Sequence, residues 1–125
     1  MNNVKIQTFN VTKVMFFRVW LIILQPFLKL RNKELDLLAS LLYHRHLISI
    51  EVKNKDMLDE LLFSVKIKKK IMKELGIPEY AYNNLLSTLR KKGIILDKTI
   101  TRQIIPVIEG ELTNFKLLYD INVKD

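Results

Sequence analysis

The hydrophobic positions in residues 66–93 form two amphipathic segments separated by a short break. Each segment places its apolar residues on one side of a helix. The two stripes are Ile67, Ile71, Met72 and Leu75, then Tyr82, Leu85, Leu86 and Leu89. Gly76 stands where a helix ends with a positive φ angle, and Pro78 suits the first turn of the next helix. The pattern predicts a helix-turn-helix whose second helix covers residues 79–92.

The apolar pattern predicts three further helices upstream. Residues 11–24 are the most hydrophobic segment and are expected to form a buried helix that Pro26 stops. Residues 30–44 carry a leucine stripe, with Asn32 at the position that caps a helix. Residues 56–63 predict a short helix capped by Asp56, whereas the alternating residues 45–55 favour a short strand or an extended connector.

After Gly93 the apolar period becomes that of strands. Residues 94–96 and 99–105 predict a first strand and its return, and Gly110 lies in a turn signal between two glutamates. Residues 112–123 alternate apolar and polar, which predicts a strand with one buried face. The expected fold is therefore mainly α with a small C-terminal β-ribbon, an α+β arrangement.

The hydrophobic segment at residues 11–24 exposes more apolar surface than a thin domain usually hides alone. We predict that it associates with a second copy or another protein. The residues expected at this interface are Phe16, Phe17, Trp20, Ile23 and Leu24. The apolar run is far shorter than the ~20 residues that a bilayer needs, and Arg18 lies inside it, so no membrane contact is expected. Residues 1–27 then form an arm with an association helix, and residues 28–125 a second domain.

Basic residues concentrate on the predicted helix-turn-helix and the segment after it. The chain carries a net charge of +8, and residues 62–103 hold ten of its 21 Lys and Arg against three of its 13 Asp and Glu. This distribution is typical of a protein that binds a polyanion. A solvated lysine face that aids solubility is the alternative that charge alone leaves open.

The predicted second helix has a polar side whose groups can bond to base edges and phosphates. These residues are Tyr80, Asn83, Asn84, Ser87 and Thr88. Nearby cations are expected to contact the phosphate backbone. They are Lys68, Lys69, Arg90, Lys91, Lys98 and Arg102. The predicted partner is duplex DNA.

The sequence lacks the combinations of residues on which enzymes depend. Its three glycines lie far apart, so no Gly-rich phosphate loop is present. Its serines have no adjacent base, and the absence of cysteine excludes disulfides and zinc–thiolate sites. His44 and His46 lack a partner at metal-ligand spacing and are expected to face solvent at a helix end. We expect no enzymatic activity, no cofactor and no metal.

The order of helices followed by a β-ribbon resembles the winged helix-turn-helix. The run NNLLSTLRKKGII is similar to the recognition helix and first wing strand of many winged-helix regulators. The hydrophobic helix ahead of it resembles the dimerisation helix of MarR-type repressors, and the Lys-, Ile- and Asn-rich chain looks most like small winged-helix proteins of tailed bacteriophages. The resemblance covers residues 28–123, although Arg31 and Pro78 stand where Ser or Thr usually caps a helix.

The resemblance implies a phage-encoded transcriptional regulator that binds duplex DNA in the host cytoplasm. Residues 79–92 would then enter the major groove. Phage virions also reuse winged-helix folds in connectors and in small-terminase-like components. The alternative is therefore a virion structural or assembly protein held through its hydrophobic helix.

Overall fold

The computed structural model describes residues 10–106, 108, 123 and 124. Within them the chain forms five α-helices, two short strands and a 3₁₀ turn. The helices are α1 (Lys13–Leu28), α2 (Asn32–Glu51), α3 (Lys55–Leu62), α4 (Val65–Leu75) and α5 (Glu79–Lys91). The antiparallel strands are β1 (Ile95–Leu96) and β2 (Thr99–Ile100), and the 3₁₀ turn is Arg102–Ile104. The expected mainly helical fold with a small sheet near the C-terminus is confirmed.

Helix α2 lies at the centre of the fold and packs against α1, α3, α4 and α5. Its leucines are buried on more than one side. The fully buried ones are Leu37, Leu38, Leu41 and Leu42. Each contributes about 1.5–3 kcal/mol of transfer free energy, so α2 is the element against which the other helices bury their apolar stripes.

Two predicted interruptions of helical structure are wrong. Pro26 lies inside α1, which continues to Leu28 and ends at Lys29 in the left-handed conformation. A proline this close to a helix end removes a single backbone bond, so the last turn survives. Residues 45–51 are helical and not extended, because lengthening an existing helix costs far less than nucleating a new one.

Two of the helix caps also differ from the prediction. Asn54, and not Asp56, caps α3, because its Oδ1 accepts from the backbone N–H groups of Asp56 and Met57 at 3.0 and 3.2 Å. Arg31, and not Asn32, is the residue that precedes α2. The Glu34 carboxylate accepts from the Arg31 N–H at 3.1 Å, so a side chain inside the first turn closes this helix end.

His44 does not face solvent as the sequence suggested. It is buried on α2, and its Nε2 lies 3.0–3.1 Å from both carboxylate oxygens of Glu74 on α4. The pair links α2 to α4 at a depth where an unsatisfied ring nitrogen would be costly.

The aromatic residues of α1 turn inward. Phe17 is 1% exposed and Trp20 is 9% exposed, and the Trp20 Nε1–H donates to the carbonyl of Ile104 at 2.7 Å. Phe16 and Leu24 are partly buried against the same core, and Ile23 is half-buried. Phe17 and Trp20 are therefore covered by their own chain, and the association of α1 with a partner stays a prediction. Arg18 pairs with Asp36 on α2, which accounts for a charge inside this apolar helix.

Lys92 ties the end of α5 to the start of α2. Its Nζ donates to the carboxylate of Glu34 at 2.6 Å and to the carbonyl of Lys29 at 3.1 Å. Glu34 is buried and Lys92 is about one-third exposed. Because the carboxylate lies inside the fold, its charge depends on this partner.

Replacing Lys92 with methionine is expected to lower the free energy of unfolding by about 1–3 kcal/mol at neutral pH, because the buried Glu34 carboxylate loses its charged partner. The Lys91→Met change removes the same charge from an exposed neighbour and should alter stability by less than about 0.5 kcal/mol. Urea denaturation of both variants and the wild type measures the difference.

The effect should depend on pH in one direction. Burial alone would raise the pKa of Glu34, but the hydrogen bonds from Lys92 and the Arg31 backbone, with the charges of both residues, lower it below the ordinary 4.5. A carboxyl with a lowered folded pKa stabilises the fold above its unfolded pKa, and that contribution disappears as the pH falls through the folded pKa. The gap between wild type and Lys92→Met should therefore narrow on acidification below about pH 4. If the free energies of unfolding of wild type and Lys92→Met differ by the same amount at neutral pH and below about pH 4, the effect does not come from the Glu34 carboxylate.

The structure describes only the first part of the predicted β-ribbon. Ile95 pairs with Ile100 and Leu96 with Thr99, so a first strand and its return exist. The return ends at Ile100 and gives way to the 3₁₀ turn, where the sequence favoured extended residues up to 105. The further strand predicted over residues 112–123, and the turn before it, lie almost wholly outside the described residues.

Candidate nucleic-acid interface

A tight turn at Gly76 sets the direction of α5 relative to α4. Gly76 has a φ of 64°. Its N–H donates to the carbonyl of Lys73 at 3.3 Å, and the next N–H, of Ile77, donates to Met72 at 3.0 Å. These two bonds form the Schellman motif. A Cβ at Gly76 would meet no atom within 4 Å, so the requirement for glycine comes from the backbone angle, which costs other residues about 1–2 kcal/mol.

The same device ends α5. Gly93 has a φ of 75°, its N–H donates to the carbonyl of Arg90 at 3.0 Å, and the N–H of Ile94 donates to Leu89 at 3.0 Å. The chain then enters β1 directly. The two glycines predicted to end helices therefore delimit α5 on both sides.

Helix α5 turns its apolar side to the core and its polar side outward. Tyr82, Leu86 and Leu89 are buried. Five of its exposed side chains recur at i, i+3, i+4, i+7 and i+11, which places them along one strip of the helix; Glu79 and Arg90 are also exposed. This outer strip comprises Tyr80, Asn83, Asn84, Ser87 and Lys91. Because Tyr80 is 72% exposed, the strip begins with an accessible aromatic ring.

Thr88 lies at the edge of the outer strip and not within it. Its side chain is partly buried, and its hydroxyl donates to the carbonyl of Asn84 at 3.1 Å. A shallow cleft of about 320 Å³ separates this edge of α5 from the start of α2, where Arg31 and Lys33 line it. The hydroxyl proton of Thr88 is thus already engaged, and its remaining role at a surface is that of an acceptor.

The two α4 lysines that were predicted to contact phosphate differ in whether their side chains are bonded within the fold. Lys69 is exposed, whereas Lys68 lies 3.4 Å from the Glu79 carboxylate and 5.5 Å from the centre of the Tyr82 ring. A cation above an aromatic face and beside a carboxylate is held within the fold. Lys68 therefore links α4 to the start of α5, and the Lys69 side chain is the freer of the two.

Tyr82 occupies the contact between α4 and α5 as a neutral phenol. Burial raises the pKa of Tyr82, and the positive charge of Arg90 opposes the rise without cancelling it. Its ring therefore fills the core below the outer strip and carries no charge toward a nucleic acid.

Arg90 holds the hairpin against α5. Its Nε donates to the carbonyl of Asp97 at 3.1 Å, and Asp97 opens the two-residue hairpin loop with a φ of 61°. From the other side, the Thr99 hydroxyl donates to the Asp59 carboxylate on α3 at 2.9 Å. These two bonds fix the loop, and its second residue, Lys98, is exposed.

Arg102 lies apart from the hairpin loop. It begins the 3₁₀ turn after β2 and is exposed. The structure thus gathers the predicted polar residues on one strip of α5, but it distributes the predicted cations over α4, α5, the hairpin and the 3₁₀ turn.

The sequence did not single out every cation near this surface. Further exposed lysines on α4 share the outward side of Lys69; they are Lys66, Lys70 and Lys73. Their spacing opposite the apolar stripe could have identified them. Arg31 and Lys33 reach the edge of α5 through a tertiary contact, which no local pattern in the sequence indicates.

The part of the chain that the structure describes shows neither a membrane-spanning helix nor a cluster of metal-binding side chains. No helix there is both long and apolar enough to cross a bilayer. No group of three or more His, Asp or Glu residues there is arranged to hold a metal ion. Comparisons with protein-family models, with curated proteins and with solved structures each gave no match.

Proposed function

We propose that the chain binds duplex DNA with the outer strip of α5, as a small winged helix-turn-helix regulator of the kind that tailed bacteriophages encode. The observation that carries this proposal is the outer strip itself. From Tyr80 to Lys91 it presents an aromatic ring, two amides, a hydroxyl and a cation, with no carboxylate among them. Such side chains serve both base edges and phosphates.

The pairing of the acidic residues inside the fold supports a polyanion as the partner. Among the three acids of residues 62–103, Glu74 faces His44 and Glu79 faces Lys68. Within the described residues, the exposed lysines of α4 and Lys91 form no ion pair. A surface whose cations are not neutralised internally attracts phosphate at long range.

The shape of the α4–α5 pair also supports duplex DNA. A helix with its side chains is about 10–12 Å across, and the major groove is about 12 Å wide. The Gly76 turn leaves the first turn of α5 projecting with Tyr80 exposed. The hairpin that follows α5 carries the exposed Lys98, and we take this hairpin as the wing that would approach an adjacent phosphate.

Fluorescence anisotropy of a labelled duplex titrated with the full chain tests the proposal. Binding at low salt should be tighter than the ~10⁻⁴ M limit of non-specific association, and it should weaken steeply as salt is added. Affinity no better than that limit for every duplex in a random pool would overturn it.

A specific observation favours a second candidate function. Helix α1 exposes several apolar side chains, which are Val14, Met15, Ile22 and Phe27. A protein partner would bury them, as a virion assembly component requires. Co-purification with virus particles, together with failure to bind duplex DNA, would favour this candidate over the regulator.

A further inference from the structure

A cleft of about 460 Å³ lies on the side of α2 that faces α1 and α3. Its lining comes from those three helices, the α2–α3 connection and the segment after the 3₁₀ turn. The outer strip of α5 takes no part in it. The cleft is large enough for a small molecule, since ligand pockets begin at about 300 Å³.

The polar lining of the cleft is cationic. Arg45, Lys53 and Lys55 line it, and none of its lining residues is acidic. Burial lowers the pKa of His46, and the positive charge of Lys13 lowers it further, so this ring is neutral at pH 7. The cleft therefore carries fixed positive charge near neutral pH.

Arg45 is the most informative of these cations. Its Nε–H is buried and has no hydrogen-bond partner among the described residues. Burial lowers the pKa of Arg45, and the negative charge of Asp59 opposes that effect. One oxygen of the Asp59 carboxylate is also buried without a hydrogen-bond partner within the described residues, yet the effect of burial on Arg45 exceeds that of Asp59. Because the Arg45 side chain lines the cleft, an anion bound there would offset the remaining charge.

Apart from Ser49, whose hydroxyl donates to the carbonyl of His46 at 2.6 Å, the remainder of the lining is apolar. The apolar lining includes Phe17, Leu42, Leu58, Ile105 and Pro106. A ligand that fills this space must bury hydrocarbon as well as charge. Fully hydrated ions such as free phosphate would leave these surfaces unoccupied.

We propose that this cleft binds a small organic carboxylate with an apolar body. Its carboxylate accepts from the Arg45 guanidinium, and its hydrocarbon part lies against Phe17 and Leu58. A singly charged group fits because Asp59 already offsets part of the Arg45 charge. The planar carboxylate also matches the planar donors of a guanidinium.

Calorimetric titration of the full chain with octanoate tests the site, with octanol as the uncharged control. We expect saturable binding of one octanoate per chain, and octanol at least about tenfold weaker, because it lacks the charge that Arg45 recognises. Equal affinity for octanol would overturn the carboxylate class. Displacement of octanoate by inorganic phosphate at equal concentration would overturn the requirement for an apolar body.

Variants locate the site. The Arg45→Met change should weaken octanoate binding by about tenfold or more, and Lys55→Met at the exposed rim by less. The Lys70→Met change removes one charge from α4, away from the cleft, and should leave binding unchanged. If Arg45→Met and Lys70→Met bind octanoate alike, the assignment fails.

A second measurement uses the unaltered protein, in case Arg45→Met does not fold. The Nε–H of a buried arginine gives a resolvable proton–nitrogen NMR signal. Octanoate should shift the Arg45 signal saturably, with the same affinity as in calorimetry, and octanol should not. Octanoate binding without movement of this signal would place the ligand elsewhere and overturn the proposal.

Discussion

Replacing Trp20 with alanine is expected to lower the free energy of unfolding by about 3–5 kcal/mol, the usual loss for a large buried aromatic. Two effects add in this loss. The indole is 9% exposed within the core, so its removal opens a cavity between α1 and α2. The carbonyl of Ile104 also loses the donor that holds it at 2.7 Å, which fastens the C-terminal 3₁₀ turn to α1.

Two further variants separate these effects. The Trp20→Phe change keeps most of the packing but removes the donor, and should cost about 1–3 kcal/mol. The Ile22→Ala change truncates an apolar side chain on the same helix that is 53% exposed, and it should cost less than about 1 kcal/mol. Far-ultraviolet circular dichroism in urea is the appropriate measurement, because the chain contains one tryptophan and Trp20→Ala abolishes its fluorescence.

Sedimentation of the same variants distinguishes a core role from an interface role. If Trp20 packs inside its own chain, Trp20→Ala lowers stability at every protein concentration. Truncation of the exposed Phe27 or Ile22 then has the larger effect on any self-association. Unchanged stability of Trp20→Ala with a smaller sedimenting species would support the association role that the sequence predicts.

How far the fold follows from the sequence depends on the range of the interaction. The α4–α5 pair was predictable, because the apolar spacing and the two helix-ending glycines are local signals. Residues 45–51 were not, because their alternation fits a strand and the neighbouring helix decides the outcome. The inward orientation of Trp20 was not predictable either, since an apolar helix looks the same whether its own chain or a partner covers it.

The candidate site shows the same limit. The polar face of α5 follows from its helical period, so the exposed position of Asn83 and Asn84 could be predicted from the sequence alone. The sequence could not show which of the predicted cations already bond to other residues of the fold. Lys68 pairs with Glu79, and Arg90 donates to Asp97. Each of these bonds depends on how the elements pack, so Lys68 and Arg90 also help to hold the fold together, whereas their contacts to phosphate stay a prediction.

Neutralising Lys69 or Lys91 is expected to weaken DNA binding equally on all sequences and to reduce the salt dependence. Each lost phosphate contact should lower the slope of log K against log salt by about 0.9. Both side chains are exposed, so Lys69→Gln and Lys91→Gln should melt as the wild type does. Arg90 is less suitable for this test, because its loss would also release the hairpin.

Lys53 supplies the matched control. It follows the last turn of α2, whereas α5 packs near the first turn through the Glu34–Lys92 pair. A helix of 20 residues is about 30 Å long, so Lys53 lies far beyond the Debye length of about 10 Å at 0.1 M salt. The Lys53→Gln change should leave both affinity and slope unaltered.

Asn83 and Asn84 should respond differently from the lysines. Asparagine bonds to adenine through two contacts at once, and such a pair contributes about 1–3 kcal/mol of discrimination. Asn83→Ala or Asn84→Ala should therefore weaken binding to a duplex selected from a random pool by about tenfold or more, while binding to unselected DNA and the salt slope stay unchanged. If the alanine variants lose affinity for selected and random duplexes alike, the amides do not read bases. If the lysine and asparagine variants all bind as the wild type does, the outer strip of α5 is not the DNA-binding surface.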